Sequence, residues 1–488
     1  MKFINRFFLF FALLSSFLSV GQEDISFIRT YGNTGYDFGR DIKQDNDSGY
    51  VVTGSSSSFG ADNTEAFLLK LNKYGDFLWS HNYGGSGSDW GQGLVVTNDS
   101  TYAVGGYTNS MGAGGFDFYL IRIDAEGTPL WEKTYGGAYW DQAFGLVQLP
   151  DSGFVLAGES FSFNDGIRSG YIVRTDKAGD VLWEHVIEAP VESFFTDLAF
   201  DGDSLVFCGG IGDGGEETFD AYVYKCGLDG GFGWDRTIGR AYNDYFNAVY
   251  AVAGFYSFGG ARGYNFPTEN MNMWMYRLDD TGVEILDTIY VNESLNFDVI
   301  HDIAVRDFDQ DYYFIGETQS YGYLLDGKSD IFTGKMNASL EHFATNIYGE
   351  AGDDIGRAMD KTRDLGVVFL ADTKFFSTGG NNIMVIKLNR FWIYPVMFDE
   401  INLNDITNST PEVTEINFEG IYPNPFTTLI HLPFIPQSSY SIHSIEGKLI
   451  CSAGLESDIL DLSELSNGMY ILTLHTPTGN FQQRLIKN

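Results

Sequence analysis

The chain has 488 residues, of which 16% are aromatic and 58 are glycine, and its formal net charge is −37. A field of that sign repels nucleic acid and anionic membrane, so neither is expected as a partner. Three cysteines, Cys208, Cys226 and Cys451, exclude a disulfide framework, and no stretch beyond the N-terminus reaches the ~18 apolar residues of a membrane span.

Residues 1–21 read as a secretion signal. Lys2 and Arg6 supply the charged start, Phe7–Leu18 the apolar run, and Ser19 and Gly21 the small residues before a cut ahead of Gln22. From Ile25 onward the chain repeats. Trp79, Trp131, Trp183 and Trp234 are spaced 52, 52 and 51 residues apart. A basic residue recurs still more regularly, at Lys70, Arg122, Arg174, Lys225, Arg277, Lys335 and Lys387, which are seven of only 29 Lys and Arg. Their spacings of 52, 52, 51, 52, 58 and 52 predict seven copies, the sixth stretched.

Each copy holds four short runs rich in β-branched and aromatic residues, separated by Gly, Asp, Asn and Ser. In the first copy these are roughly Phe38–Gln44, Tyr50–Ser55, Ala66–Asn72 and Phe77–Asn82. Four strands per unit, repeated seven times, predict an all-β chain folded as a seven-bladed β-propeller over residues 22–396. The N-terminal fragment Ile25–Tyr31 matches only a fourth strand, and the seventh copy has only its first three. Together they complete one blade and remove the open edge. The competing closure uses Phe391–Val396 as the last strand.

Residues 397–419 break the pattern with acidic, Asn and Thr residues and Pro411, and read as a linker. Residues 420–488 resume strand-like runs with Gly turns and read as a compact unit.

Several constellations are candidates for chemistry. Asp37, Asp89, Asp141, Asp244 and Asp354 open the first strand in five copies. They read either as backbone-bonding structural acids or as a cation-binding ring. No cofactor is demanded by any motif, and Ca²⁺ is the one that stays open. The loops of copies five and six are irregular and carry Arg262, Tyr264, Phe266, Tyr321 and Tyr323, either a ligand-binding face or a cover for the rim. The seven basic residues are expected to pair with acids of a neighbouring strand or to lie over aromatics. Cys208 and Cys226 fall in neighbouring strands and read as buried thiols, with a disulfide as the alternative. No nucleophile elbow, HExxH or P-loop is present.

Two resemblances follow from quoted motifs. The repeats, with YGG-x3-D, a D-x-G turn and a V-x-G-x-S run, look like secreted bacterial β-propeller repeats. The last 70 residues resemble the C-terminal sorting domain of type IX secretion cargo in Bacteroidetes. The resemblance lies in Tyr422, Pro423, Asn424 and Pro425, then Gly447 and Lys448, then Gly468 and Tyr470, and Lys487 near the end. It implies a small β-sandwich recognised by the outer-membrane secretion machinery, and a protein at the cell surface or released. The function expected is that of an exported binding module for a glycan, matrix or surface-protein ligand. A structural or adhesive protein, and a polysaccharide-acting enzyme assembled from several blades, are the alternatives.

Overall fold

The structure is a computed structural model. It describes residues 25–487 except 33, 59–62, 213–217, 240–241, 253, 265–269, 291–296, 307–309, 321–327, 350–351, 375–379, 391–397, 403–427, 432–438, 445–448, 456, 458, 464, 467 and 477–478. The signal segment therefore lies outside the described residues.

Seven antiparallel sheets follow one another along the chain. Blade 1 runs Asp37–Gln44, Tyr50–Ser56, Glu65–Leu71 and Phe77–Tyr83, and blades 2 to 6 repeat that up-and-down order. Blade 7 takes Ile355–Lys361, Val367–Thr373 and Asn382–Leu388 from the end of the repeat region, and Phe27–Gly32 from its beginning. The register sets Phe27 opposite Lys387 and Tyr31 opposite Ile383, so the N-terminal strand closes the ring. Phe398–Asn402, inside the stretch expected to be linker, adds a fifth, parallel strand outside Phe27–Gly32.

Burial within a blade shows how the blades pack. The second and third strands are buried along almost their whole length in blades 1 to 3. Each sheet has a neighbour on both faces, so these strands need apolar residues at nearly every position rather than alternation. The first strand instead alternates, as in Asp37–Gln44, because one of its faces looks into the central channel. The outermost strand is mostly half-buried, with Leu78 and His81 exposed in blade 1.

Two repeated contacts hold blades and hairpins. Tyr31, Tyr83 and Tyr135 donate their hydroxyls to the carbonyls of Gly75, Gly127 and Gly179 in the next blade, at 2.5, 2.8 and 2.7 Å. Those glycines sit at φ of +80, +89 and +80°, a turn conformation a side chain would strain. In six copies the recurring basic residue faces an acid in the first hairpin turn of its own blade, Lys225 facing Asp201 at 3.5 Å, whereas Arg277 donates to the Ala338 carbonyl at 3.0 Å and lies over Phe255 and Tyr312. Lys70 binds Asp45 and Asp47, Arg122 binds Asp99, Arg174 binds Asp151, Lys335 binds Asp311 and Lys387 binds Asp364. Burial opposes the Asp45 charge, but Lys70 and Tyr102 hold its carboxyl below the ordinary value.

Cys208 and Cys226 are free and buried. Cys208 lies opposite Val223 and Cys226 opposite Leu205, so the two thiols are not strand partners.

The C-terminal part forms a four-stranded sheet in the order Leu449–Gly454, Ser439–Ser444, Gly468–Thr476, Gly479–Lys487, with a two-stranded sheet of Leu429–His431 and Ile459–Asp461. Ile430, Ile442, Leu460, Leu472 and Leu485 share one core between them. Lys487 closes the unit by donating its Nζ to the carbonyls of Leu462 and Ser463 at 2.6 and 2.7 Å.

Candidate binding site at the channel mouth

The innermost strands of all seven blades carry a β-bulge at the same place. The register slips between Gly39 and Asp41, Gly91 and Gly93, Ala143 and Gly145, Phe195 and Asp197, Phe246 and Ala248, Ile300 and Asp302, and Gly356 and Ala358. A bulge turns one extra residue out of the ladder and re-aims its side chain. The seven bulged residues are Arg40, Gln92, Phe144, Thr196, Asn247, His301 and Arg357, and all of them line a central cavity of about 690 Å³. They differ from blade to blade on a scaffold that otherwise repeats.

Around this ring lies a run of aromatic rings. Tyr36 stacks on Phe38, Phe38 on Trp90, and Trp90 on Tyr107, with centroids 6.2, 6.4 and 5.9 Å apart. Tyr107 meets Phe116 and Phe144 edge-on at 5.3 and 6.2 Å, and Phe116 meets Trp140 at 5.6 Å. Tyr36 and Trp140 are 59% and 56% exposed, so the run reaches solvent at both ends. On the far side, Arg168 lies 4.1 Å over the Phe194 ring while its Nε donates to Glu159 at 2.6 Å. Burial pushes the Glu159 carboxyl up, against the pull of Arg168. His301 and Glu317 are 2.9 Å apart, and the Glu317 carboxyl lies below its ordinary value despite burial because of that contact.

Below the mouth the walls carry Asp41, Asp197, Asp302, Asp360 and Lys43. Four of these acids bond the next blade. Asp41 accepts the backbone N–H of Leu94, Asp197 that of Val249, and Asp302 that of Met359, at 2.8, 2.9 and 2.7 Å. Each also accepts the N–H of the residue that follows it. Asp360 accepts the N–H of Gln44 at 2.8 Å across the closure of the ring. Burial raises Asp197 to about 7 and Asp302 to about 8. Burial also works against the Lys43 charge, but Asp41 at 2.6 Å, with Asp360 and Asp302, holds the ammonium above its usual value.

The residues singled out in the sequence lie elsewhere. Asp37, Asp89, Asp141, Asp244 and Asp354 are buried. Asp89 accepts from Ser110 Oγ at 2.8 Å, from Thr108 Oγ1 and from the Gly85 N–H at 2.9 Å. Asp37 accepts from Ser56 and Ser58, Asp141 from Ser162 and Gly137, Asp244 from Gly263, and Asp354 from Thr373 and Lys374. Most of these bonds tie the mouth end of the first strand to that of the second. Among the described residues, no three His, Cys, Asp or Glu side chains group as metal ligands. Arg262 is buried, stacks 3.7 Å over Trp274 and pairs with Asp287 at 2.9 Å. Tyr264 ends the strand Phe255–Tyr264, while Phe266, Tyr321 and Tyr323 lie outside the described residues. So do Tyr422, Pro423, Asn424, Pro425, Gly447 and Lys448 of the sorting motif. Gly468 begins a strand, and Tyr470 in that strand donates its hydroxyl to the Ser466 carbonyl at 2.8 Å.

Motif reading misses the bulge residues because seven different blades carry no shared side chain there. The available signal is divergence itself, since 40, 92, 144, 196, 247, 301 and 357 are equivalent positions filled differently from blade to blade, apart from the arginines at 40 and 357.

Among known proteins, residues 420–488 match the model of the secretion system C-terminal sorting domain. No curated protein is similar to the chain. Similar solved structures include the WD40 domain of Neurospora crassa Pan2, at 10% identity and TM-score 0.44, covering 74% of this chain and 92% of that one. The β-propeller domain of the Trilobed protease from Pyrococcus furiosus is similar at 10% identity and TM-score 0.43, covering 74% and 96%. PorZ, a surface component of the type IX secretion system of Porphyromonas gingivalis, is similar at 10% identity and TM-score 0.42, covering 94% and 60%. At such identities no ligand or partner carries over. Among the described residues no helix is long and apolar enough to cross a membrane. The chain is a β-propeller of seven blades followed by a type IX secretion system C-terminal sorting domain, which directs it to the cell surface or the extracellular space.

Proposed function

We propose that the exported propeller is a binding module that takes a glycan at the mouth of its central channel. One observation carries the reading, the aromatic run Phe38–Trp90–Tyr107–Phe144 beside the polar bulge residues Gln92, Thr196, Asn247 and His301. Sugar rings present apolar faces and a rim of hydroxyls. Aromatic faces next to fixed amide, hydroxyl and imidazole groups complement both. The test is an array of glycans and polysaccharides, read for retention and for product release. Retention without product supports the reading, and released oligosaccharide would replace it with an enzyme. Silence on every sugar would move the ligand to the class of proteins.

A further inference from the structure

Arg40 and Arg357, from blades 1 and 7, share a single carboxylate. Arg357 Nε donates to Asp372 Oδ2 at 2.7 Å, and Arg40 Nη1 reaches the same oxygen at 3.3 Å. The other oxygen, Oδ1, is taken by the Gly39 N–H at 2.8 Å. Two guanidinium charges thus meet one carboxylate charge. The two side chains keep 21% and 23% of their surface open, and both line the central cavity. The second nitrogen edge of each has no hydrogen-bond partner among the described residues. Burial lowers the Arg40 pKa, with Asp372 opposing that shift and the neighbouring Arg357 charge adding to it.

Glu317 is the nearest further acid, and the Arg357 charge also helps to hold its carboxyl low. His301 faces Glu317, and Arg168 faces Glu159. In the layer below, Lys43 offsets Asp41, while burial favours the neutral forms of Asp197 and Asp302. The aromatic run begins beside the two arginines, since Arg40 lies 5.5 Å over the Phe38 ring that stacks on Trp90.

We infer that the channel mouth selects an acidic saccharide, whose sugar carboxylate bridges the open edges of Arg40 and Arg357 while its ring lies along the Phe38–Trp90–Tyr107 surface. A planar carboxylate matches the guanidinium fork in geometry as well as charge. The inference rests on the glycan reading above.

The test titrates the purified protein with a galacturonate oligomer and with its carboxyl-reduced, neutral counterpart. A sulfated neutral oligomer of the same length is the third ligand. The wild type is expected to bind the galacturonate at least about tenfold tighter than the neutral form. Arg357→Gln is expected to bring the ratio of galacturonate to neutral affinity close to one. Arg40→Gln, which keeps the Arg357–Asp372 pair intact, is the second variant should Arg357→Gln unfold, and is expected to reduce the preference. Equal affinity for acidic and neutral forms, or an unchanged preference in Arg40→Gln, overturns the inference while the glycan reading stands. Tighter binding of the sulfated oligomer overturns the carboxylate assignment. Binding of none of the three by the wild type overturns the inference, and the glycan reading then fails separately if the wider array is also silent.

Discussion

The Asp41 carboxylate, on the innermost strand of blade 1, accepts the backbone N–H of Leu94 in blade 2 at 2.8 Å. The same relation joins Asp197 to Val249 and Asp302 to Met359. Neighbouring innermost strands are not paired with each other in any sheet. The N–H groups freed at the bulges would otherwise face the channel unbonded. Asp41→Ala removes the acceptor from both Ile42 and Leu94 and leaves Lys43 without its nearest partner. Hydrogen bonds to a charged group contribute about 1.5–3 kcal/mol each. A loss of roughly 2–4 kcal/mol is expected, seen as a Tm lower by several degrees in scanning calorimetry.

The pH dependence has a definite sign. Burial raises Asp197 to about 7 and Asp302 to about 8 in the folded protein, above the ~4 of an unfolded Asp. The folded state therefore binds these protons more tightly. Their effect is absent below about pH 4 and costs stability increasingly as pH rises to about 8. Carboxylates held low, such as Asp45, act at the acid end, where stability is lost as they protonate. Tm is expected to be higher near pH 5.5 than at pH 8.5. Asp302→Asn, which cannot ionise, should narrow that difference, and a Tm profile identical to the wild type would contradict the assignment.

Asp89 tests the structural reading of the repeated acids. It holds Ser110, Thr108 and Gly85 together at one end of blade 2. Asp89→Ala leaves these donors without their acceptor in a buried place, and a loss of about 1–3 kcal/mol is expected. If these acids serve only their own blades, EDTA leaves the wild-type Tm unchanged. A Tm that drops with EDTA and recovers with Ca²⁺ would instead make them cation ligands.

The architecture is legible in the sequence because a propeller repeats its local chemistry. Lys70 and most of its equivalents recur since they tie down the first hairpin turn of their blade, and Tyr83 and Tyr135 recur since they bond the next blade. Phe27 and Tyr31 keep that register, which is why the repeat pattern alone assigns the N-terminal strand to blade 7. The mouth is not legible for the opposite reason. Arg40, Phe144 and His301 come together only through a bulge at one depth in separate strands, and a bulge leaves no periodic trace in the sequence. Asp372 and Arg40 are 332 positions apart. Phe398–Asn402 reads as linker because its acidic and Asn residues mask a strand that pairs at the outer edge of blade 7.

The sorting domain gives a prediction in the cell. Deleting residues 420–488 removes the segment that matches the secretion model. The truncated protein is expected to stay inside the cell envelope, detected by fractionation, with loss from the surface and medium. Normal surface or extracellular levels would contradict that role.

Binding at the channel mouth is tested most directly by calorimetric titration of an oligosaccharide retained on the array, against the wild type, Tyr107→Ala and Asn98→Ala. Tyr107 contacts Trp90, Phe116 and Phe144, whereas Asn98 is exposed in the first hairpin turn of blade 2. Stacking on an aromatic side chain contributes about 0.5–1.5 kcal/mol beyond area burial, and loss of the ring also removes that area. The account predicts at least about tenfold weaker binding for Tyr107→Ala and unchanged binding for Asn98→Ala. Equal affinity of Tyr107→Ala and wild type would place the ligand somewhere other than the channel mouth.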